Sequence, residues 1–210
     1  MIFIIERFER LDIGKKKTIL NAALEEFAEH GYKNASTNRI VKKASIGKGM
    51  LFYYFNTKKD LFNYLVEFAI DYINDEYVNK IDEIESDFIE KFKQAAKIKL
   101  KAYHINPHVF NFIGIIYINE DVELTEEINL KLMNLEDSGF SKIFTNLDKS
   151  LFRDDLDPDE VIRLIHLTFL GYEKELTSKL KGKNFSTLDM KPYWDDFNKF
   201  LARLRMIYYK

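Results

Sequence analysis

Between Tyr32 and Lys59 seven cations, Lys33, Arg39, Lys42, Lys43, Lys48, Lys58 and Lys59, occur without a single Asp or Glu. One sign of charge gathered on so short a stretch suits one task, holding a polyanion. Within it Lys48 can reach a guanine edge or a phosphate, Met50 can touch a thymine methyl, and Tyr53 can offer its hydroxyl to a phosphate. Phe52 and Phe55 beside them read as core, and the pair Lys42 and Lys43 reads first as a solvated face.

Other chemistry is scarce. With no cysteine in 210 residues, disulfides, thiolate metal sites and cysteine nucleophiles are excluded. His104 and His108 have the spacing of a helical metal clamp, but Pro107 interrupts them and no third ligand is evident. Asp155, Asp157 and Asp159 alternate like a calcium loop, yet Glu160 stands at the position that needs glycine and His166 where the closing Glu belongs. No glycine-rich phosphate cradle or nucleophile elbow appears. No catalytic residue, metal or cofactor is therefore assigned, and the chain is not expected to be an enzyme.

The elements that must position the basic stretch are helices. Three prolines and eight glycines punctuate the whole chain, and no run alternates with the period of two that a half-buried strand needs. From Lys15 to His30, Ile19, Ala22, Ala23, Phe27 and Ala28 share one face, and Gly31 is placed to end that helix. Ser36 and Thr37 are natural caps for a helix from Asn38 to Lys43. Ser45-Ile46-Gly47 makes a turn, and a second short helix starts at Lys48. Two short helices about a glycine-containing turn form a helix-turn-helix, whose second member enters a DNA major groove. An apolar N-terminal arm is expected to pack Ile4, Ile5, Phe8 and Leu11 on this head. The arm is too short for a membrane span or a secretion signal, so a cytoplasmic protein with no membrane partner is expected.

The run GYKNASTNRIVKKASIGKGMLFYYFNTKKDLF, Gly31 to Phe62, resembles the DNA-binding domain of the TetR family of bacterial transcriptional regulators. The motif is specific and covers about 50 residues with the helix before it; the rest of the chain is similar only in length and helicity. Two residues depart from the pattern: Gly47 stands where a capping Ser or Thr is common, and Ser45 where Gly is common. The resemblance assigns base readout to Asn38, Lys48, Gly49, Met50 and Tyr53. It assigns backbone contacts to Thr37, Tyr54 and Lys58.

Charge divides the chain the same way. Residues 1–60 hold 12 Lys and Arg against 7 Asp and Glu, a balance of +5, while residues 61–210 carry −7. An all-α protein is expected, with a three-helix DNA-binding domain over 1–60 and a helical effector-binding and dimerisation domain over 61–210. Leu61 to Tyr77 reads as the connector. Further helices are expected near 85–105, 107–119 and 122–149, with Asn119-Glu120-Asp121 as a break and Asp157-Pro158 opening another helix. Val161 to Tyr172 is apolar nearly all round, which calls for two dry neighbours. A homodimer seam is therefore expected from Leu164 and Leu167 with Phe197, Leu201 and Leu204 of the last helix, as the resemblance also implies. If the body holds a ligand pocket, as the resemblance implies, its wall is expected from Phe92, Tyr103, Phe110, Asn111, Tyr117, Met133, Phe144, His166 and Phe169. The function expected is a repressor released from a palindromic operator on double-stranded DNA by a small lipophilic or aromatic molecule. The alternative is a regulator of the same fold with no effector, its body serving protein contacts.

Overall fold

The computed structural model describes residues 2–118, 123–180 and 189–210, and these are helical, with no strand among them beyond an isolated bridge between Phe152 and Tyr209. The helices are α1 (Ile2–Glu9), α2 (Ile13–Asn34), α3 (Thr37–Lys43), α4 (Lys48–Tyr54) and α5 (Lys58–Glu76). They continue as α6 (Phe88–Ile105), α7 (Pro107–Ile118), α8 (Glu126–Phe144), α9 (Pro158–Leu180) and α10 (Lys191–Tyr208). No helix among the described residues is long and apolar enough to cross a membrane. The expected break at Asn119-Glu120-Asp121 and the side chains of Ile4 and Ile5 lie outside the described residues.

The local causes of these boundaries are mostly visible. Asp12 accepts from the amides of Gly14 (2.9 Å) and Lys15 (3.2 Å) and so opens α2. Gly31 then kinks it with φ 67° and ψ 174°, a region open in practice only to glycine. The end expected at Gly31 is therefore a kink, and one further short turn runs on to Asn34. Thr57 and Asp60 form a reciprocal capping box at the start of α5. Pro107 separates α6 from α7, because it can neither donate its amide nor fit the preceding turn. Asp157 accepts from the amides of Asp159 (2.9 Å) and Glu160 (3.0 Å) and opens α9.

Two compact units result, Met1–Ile81 with Lys97–Ser141, and Asp82–Ala96 with Lys142–Lys210. In the first, α2 buries Ile19, Leu20, Ala23, Leu24 and Phe27 against α5, α3 and α7. The connector α5 contributes Leu61, Phe62, Leu65, Val66, Ala69 and Ile70 to the same core, and α7 contributes Val109, Phe112 and Ile113. Helices α2 to α4 therefore share one continuous core with α5, α7 and part of α8.

The second unit is closed by its C-terminus. Tyr209 donates its hydroxyl to Asp87 (3.1 Å) and accepts from the amide of Ile89 (3.3 Å), and Arg205 pairs with the same Asp87 at 2.7 Å. Lys91, only 1% exposed, donates to the carbonyl of Thr145 (2.6 Å), the residue just past the end of α8, where a cation suits the helix dipole.

Candidate nucleic-acid interface

The turn between α3 and α4 is a Schellman motif. The amide of Ser45 donates to Lys42 (3.2 Å) and that of Ile46 to Val41 (3.0 Å), which satisfies two carbonyls left over at the end of α3. Ile46 packs on the core next to the buried Val41, the hydrophobic contact that accompanies this turn. The geometry needs a left-handed residue, and Ser45 fills that position with φ 53°. A serine held there is strained, because its Cβ crowds the backbone. Ser45→Gly is therefore expected to stabilise the head by about 0.5–1 kcal/mol after the extra freedom of glycine in the unfolded chain is subtracted. A rise in Tm by circular dichroism checks this, and a fall would show that the serine side chain matters more than its strain.

Gly47 caps α4 through its backbone alone, accepting from Met50 (3.0 Å) and Leu51 (3.3 Å). The expected capping hydroxyl at α3 is not formed: Ser36 makes no side-chain cap, and its amide is instead taken by the Glu26 carboxylate at 2.7 Å. Glu26 is the residue that sequence reasoning missed. It is 7% exposed on α2 and grips Arg39 through both oxygens, at 2.9 and 3.0 Å from Nε and 2.5 Å from Nη2. Arg39 also donates to the carbonyl of Asn34 (2.9 Å). Burial pushes the Glu26 carboxyl up, but the hydrogen bonds from Arg39 and Ser36 and the charges of Arg39 and His30 outweigh it, leaving the group below the usual carboxylate range.

The stretch free of acids in sequence is thus not free of them in space. Arg39 is committed to Glu26, and Lys43 is paired with Glu25 of α2. Lys58 turns back toward the carbonyl of Lys33 (3.2 Å) and lies over the Tyr32 ring at 4.8 Å. Burial lowers the Lys58 ammonium below its ordinary range, with the charge of Arg39 adding to this and Glu26 opposing it. Among the described residues Lys42, Lys48 and Lys59 are exposed and make no ion pair.

Of the residues assigned to DNA, Asn38, Lys48 and Gly49 are exposed, and Thr37, Met50 and Lys58 are partly so. Tyr53 is 54% exposed on the open side of α4. Tyr54, at 8% exposure, is turned the other way, its ring 5.7 Å from that of Phe8, so little of it is left to reach a phosphate. Leu51 and Phe55 are buried behind the helix and fix its orientation on the core. The structure brings Lys48, Gly49, Met50 and Tyr53 onto one short, outward-facing helix.

The expected body residues divide between the two units. Tyr103, Phe110, Asn111, Tyr117 and Met133 belong to the first, where Tyr103 donates to Asn111 (3.2 Å) and stands 5.7 Å from Phe110. Tyr117 and Met133 are 53% and 60% exposed. Phe92, Phe144, His166 and Phe169 belong to the second, where Phe92 stacks on Phe169 and Phe144 meets His166 edge to face. The residues expected at a dimer seam differ in exposure. Phe197, Leu201 and Leu204 are buried within their own unit, at 8%, 3% and 4% exposure, so the apolar stripe of α10 is spent on the chain itself. Leu164, Leu167 and Leu170 of α9 remain 38%, 50% and 50% exposed. His104 and His108 lie on different helices, near the carbonyl of Leu100 and near Glu25 respectively.

An all-helical chain that presents a short basic helix from a Schellman-turned helix-turn-helix is, in class, a nucleic-acid reader. Residues 19–65 match the family described as "Bacterial regulatory proteins, tetR family". A protein from Bacillus subtilis named an uncharacterized HTH-type transcriptional regulator is 24% identical over 144 residues, covering 67% of this chain and 65% of its own. The fatty acid metabolism regulator protein of the same organism is 29% identical over 122 residues, covering 58% and 56%. These matches therefore span somewhat less than two thirds of either relative. The crystal structure of a TetR family transcriptional regulator from Chloroflexus aurantiacus has the same fold over 98% of both chains, with a TM-score of 0.66 at 19% identity. Residues 19–65 thus carry a TetR-type DNA-binding domain, and the fold of the described residues is that of the TetR family regulators they resemble.

Proposed function

We propose that the protein is a homodimeric transcriptional regulator that represses by binding a near-palindromic operator and lets go when a small lipophilic or aromatic molecule occupies its body. The observation that carries this reading is α4, whose Lys48, Gly49 and Tyr53 face solvent with Met50 partly exposed beside them, while Leu51 and the following Phe55 anchor it to the core. Residues 1–60 act as the head and the later helices as effector and dimerisation body. The regulator works in the cytoplasm.

The exposed leucines of α9 support pairing, since a second copy of that helix would cover them. Two heads held this way would enter successive major grooves about 34–36 Å apart. The aromatic rings of the body, together with the name of the fatty acid metabolism relative, support a lipophilic effector. Such a molecule acts only by its differential affinity for the DNA-competent and DNA-incompetent states.

The test is selection of duplexes from a random pool by the full chain, followed by binding of Lys48→Ala to the enriched sequence and to a scrambled one. The enriched sequence should be an inverted repeat. Lys48→Ala should cost about 1–3 kcal/mol on it and narrow its advantage over the scrambled duplex. No enrichment, or a variant that keeps full discrimination, would overturn the reading. Sedimentation showing a monomer at micromolar concentration would remove the dimer.

A further inference from the structure

The helix-turn-helix accounts for α2 to α4 but not for α1, the eight-residue helix that precedes them and packs on α4. Its attachment is strong for so short an element. Phe8 is fully buried, with its ring 5.7 Å from Tyr54, 4.9 Å from Phe55 and 5.4 Å from Tyr64. Glu9 is held by Lys16 of α2 and by the Tyr64 hydroxyl of α5. Three different helices thus fix the last turn of α1, and that turn also carries Arg7.

The Arg7 guanidinium lies over the Tyr53 ring, 4.8 Å from its centroid. Tyr53 is the most open aromatic of α4, and its edge is in turn braced by Tyr54 at 5.4 Å. Both carboxylates close to Arg7 in sequence have other partners: Glu6 lies 3.8 Å from Arg10, and Glu9 is taken as described. Among the described residues no carboxylate pairs with Arg7. A guanidinium over a ring face keeps N–H donors for a further partner, and its planar fork matches the two oxygens of a phosphate.

Resting on the DNA-binding reading, we infer that Arg7 is an additional DNA contact: α1 and the Tyr53 ring hold its guanidinium beside the recognition helix to clamp a backbone phosphate next to the bases that α4 reads. Tyr53 then serves as the platform of that clamp as well as a contact in its own right. The consequence is a positioning role for the arm. It adds affinity without adding sequence preference, because a phosphate carries no base identity.

Anisotropy titrations of the full chain on the duplex enriched from the random pool, between about 50 and 200 mM salt, test this. Arg7→Ala should flatten the slope of log K against log salt by about 0.9 per protomer and weaken binding roughly five- to ten-fold near 0.1 M salt. The ratio of affinities for matched and scrambled duplexes should not move. Arg7→Lys should keep the slope, since it keeps the charge. Because Arg7 is exposed, both variants should melt with the parent. Curves for Arg7→Ala that overlay the parent at every salt concentration would overturn the inference. So would a loss of affinity with an unchanged slope, which would mean that Arg7 only orients Tyr53. A parent that enriches no duplex would instead bring down the DNA-binding reading, and the inference with it.

Discussion

Phe112→Ala is expected to be among the most damaging single substitutions in the chain. The ring is fully buried, 5.2 Å from Phe62 and 6.2 Å from Phe27, and Phe27 and Phe62 also meet each other edge to face at 5.0 Å. Three helices, α2, α5 and α7, each supply one ring to this cluster. Removing the Phe112 ring loses its burial and leaves a cavity beside Phe27 and Phe62 that those two rings cannot close without leaving each other, for a loss of about 3–5 kcal/mol. In a chain of this length that lowers Tm by on the order of 10 °C. Phe112→Leu, which keeps most of the volume, should cost about 1–2 kcal/mol. Thermal melts by circular dichroism decide the matter: an alanine variant within a degree or two of the parent would show that the cluster repacks. The functional consequence follows from place rather than size. Phe112 lies on α7, in the later part of the chain, yet it packs on the helix that supports the reading head, so a softened cluster should loosen the way α7 and α2 move together.

What could be read from the sequence followed from local rules. The helix from Lys48, the turn at Ser45, the break at Pro107 and the cap at Asp157 each depend on residues within four or five positions of one another, and those signals survive in a single sequence. Gly31 was legible as an interruption but not as a kink with a further turn beyond it. The capping hydroxyl expected from Ser36 does not form, and the partner its amide does have, a carboxylate ten residues away, lies outside the reach of local rules. Glu26 itself looked like one more polar residue on an amphipathic helix, because periodicity marks which face is buried and not which polar group on that face has a partner. The stripe on α10 is ambiguous in a related way. Phe197, Leu201 and Leu204 share a face whether they cover the chain's own core or a second copy, and only the fold separates the two. Body aromatics divided between the compact units for the same reason, since aromatic density says nothing of which rings meet. Lys58 illustrates the limit for charge, its ammonium directed to the Lys33 carbonyl and the Tyr32 ring.

Glu26→Gln should expose how much of the head depends on one buried carboxylate. The side chain keeps its size, but one of its two acceptors becomes an amide that faces the donors of Arg39, and the charge that holds the guanidinium is gone. Arg39 is about half exposed at 52%, so water recovers part of the loss, and the expected cost at neutral pH is about 2–3 kcal/mol. The pH dependence identifies the cause. Because the folded carboxyl sits below the usual range, its stabilisation is complete above the unfolded carboxylate pKa, near 4.3, and is lost as pH falls through the lower folded value. Parent and variant should therefore differ most near neutrality and converge on acidification. Melting curves taken across that range check this, and two curves that stay parallel would mean the cost comes from packing rather than charge. The same substitution leaves a single oxygen to serve both Arg39 and the Ser36 amide at the start of α3, so on the proposed reading its effect on DNA should appear as weaker binding to every duplex alike. On the proposed DNA-binding reading, preference among sequences resides mainly on α4, with which Glu26 makes no hydrogen bond.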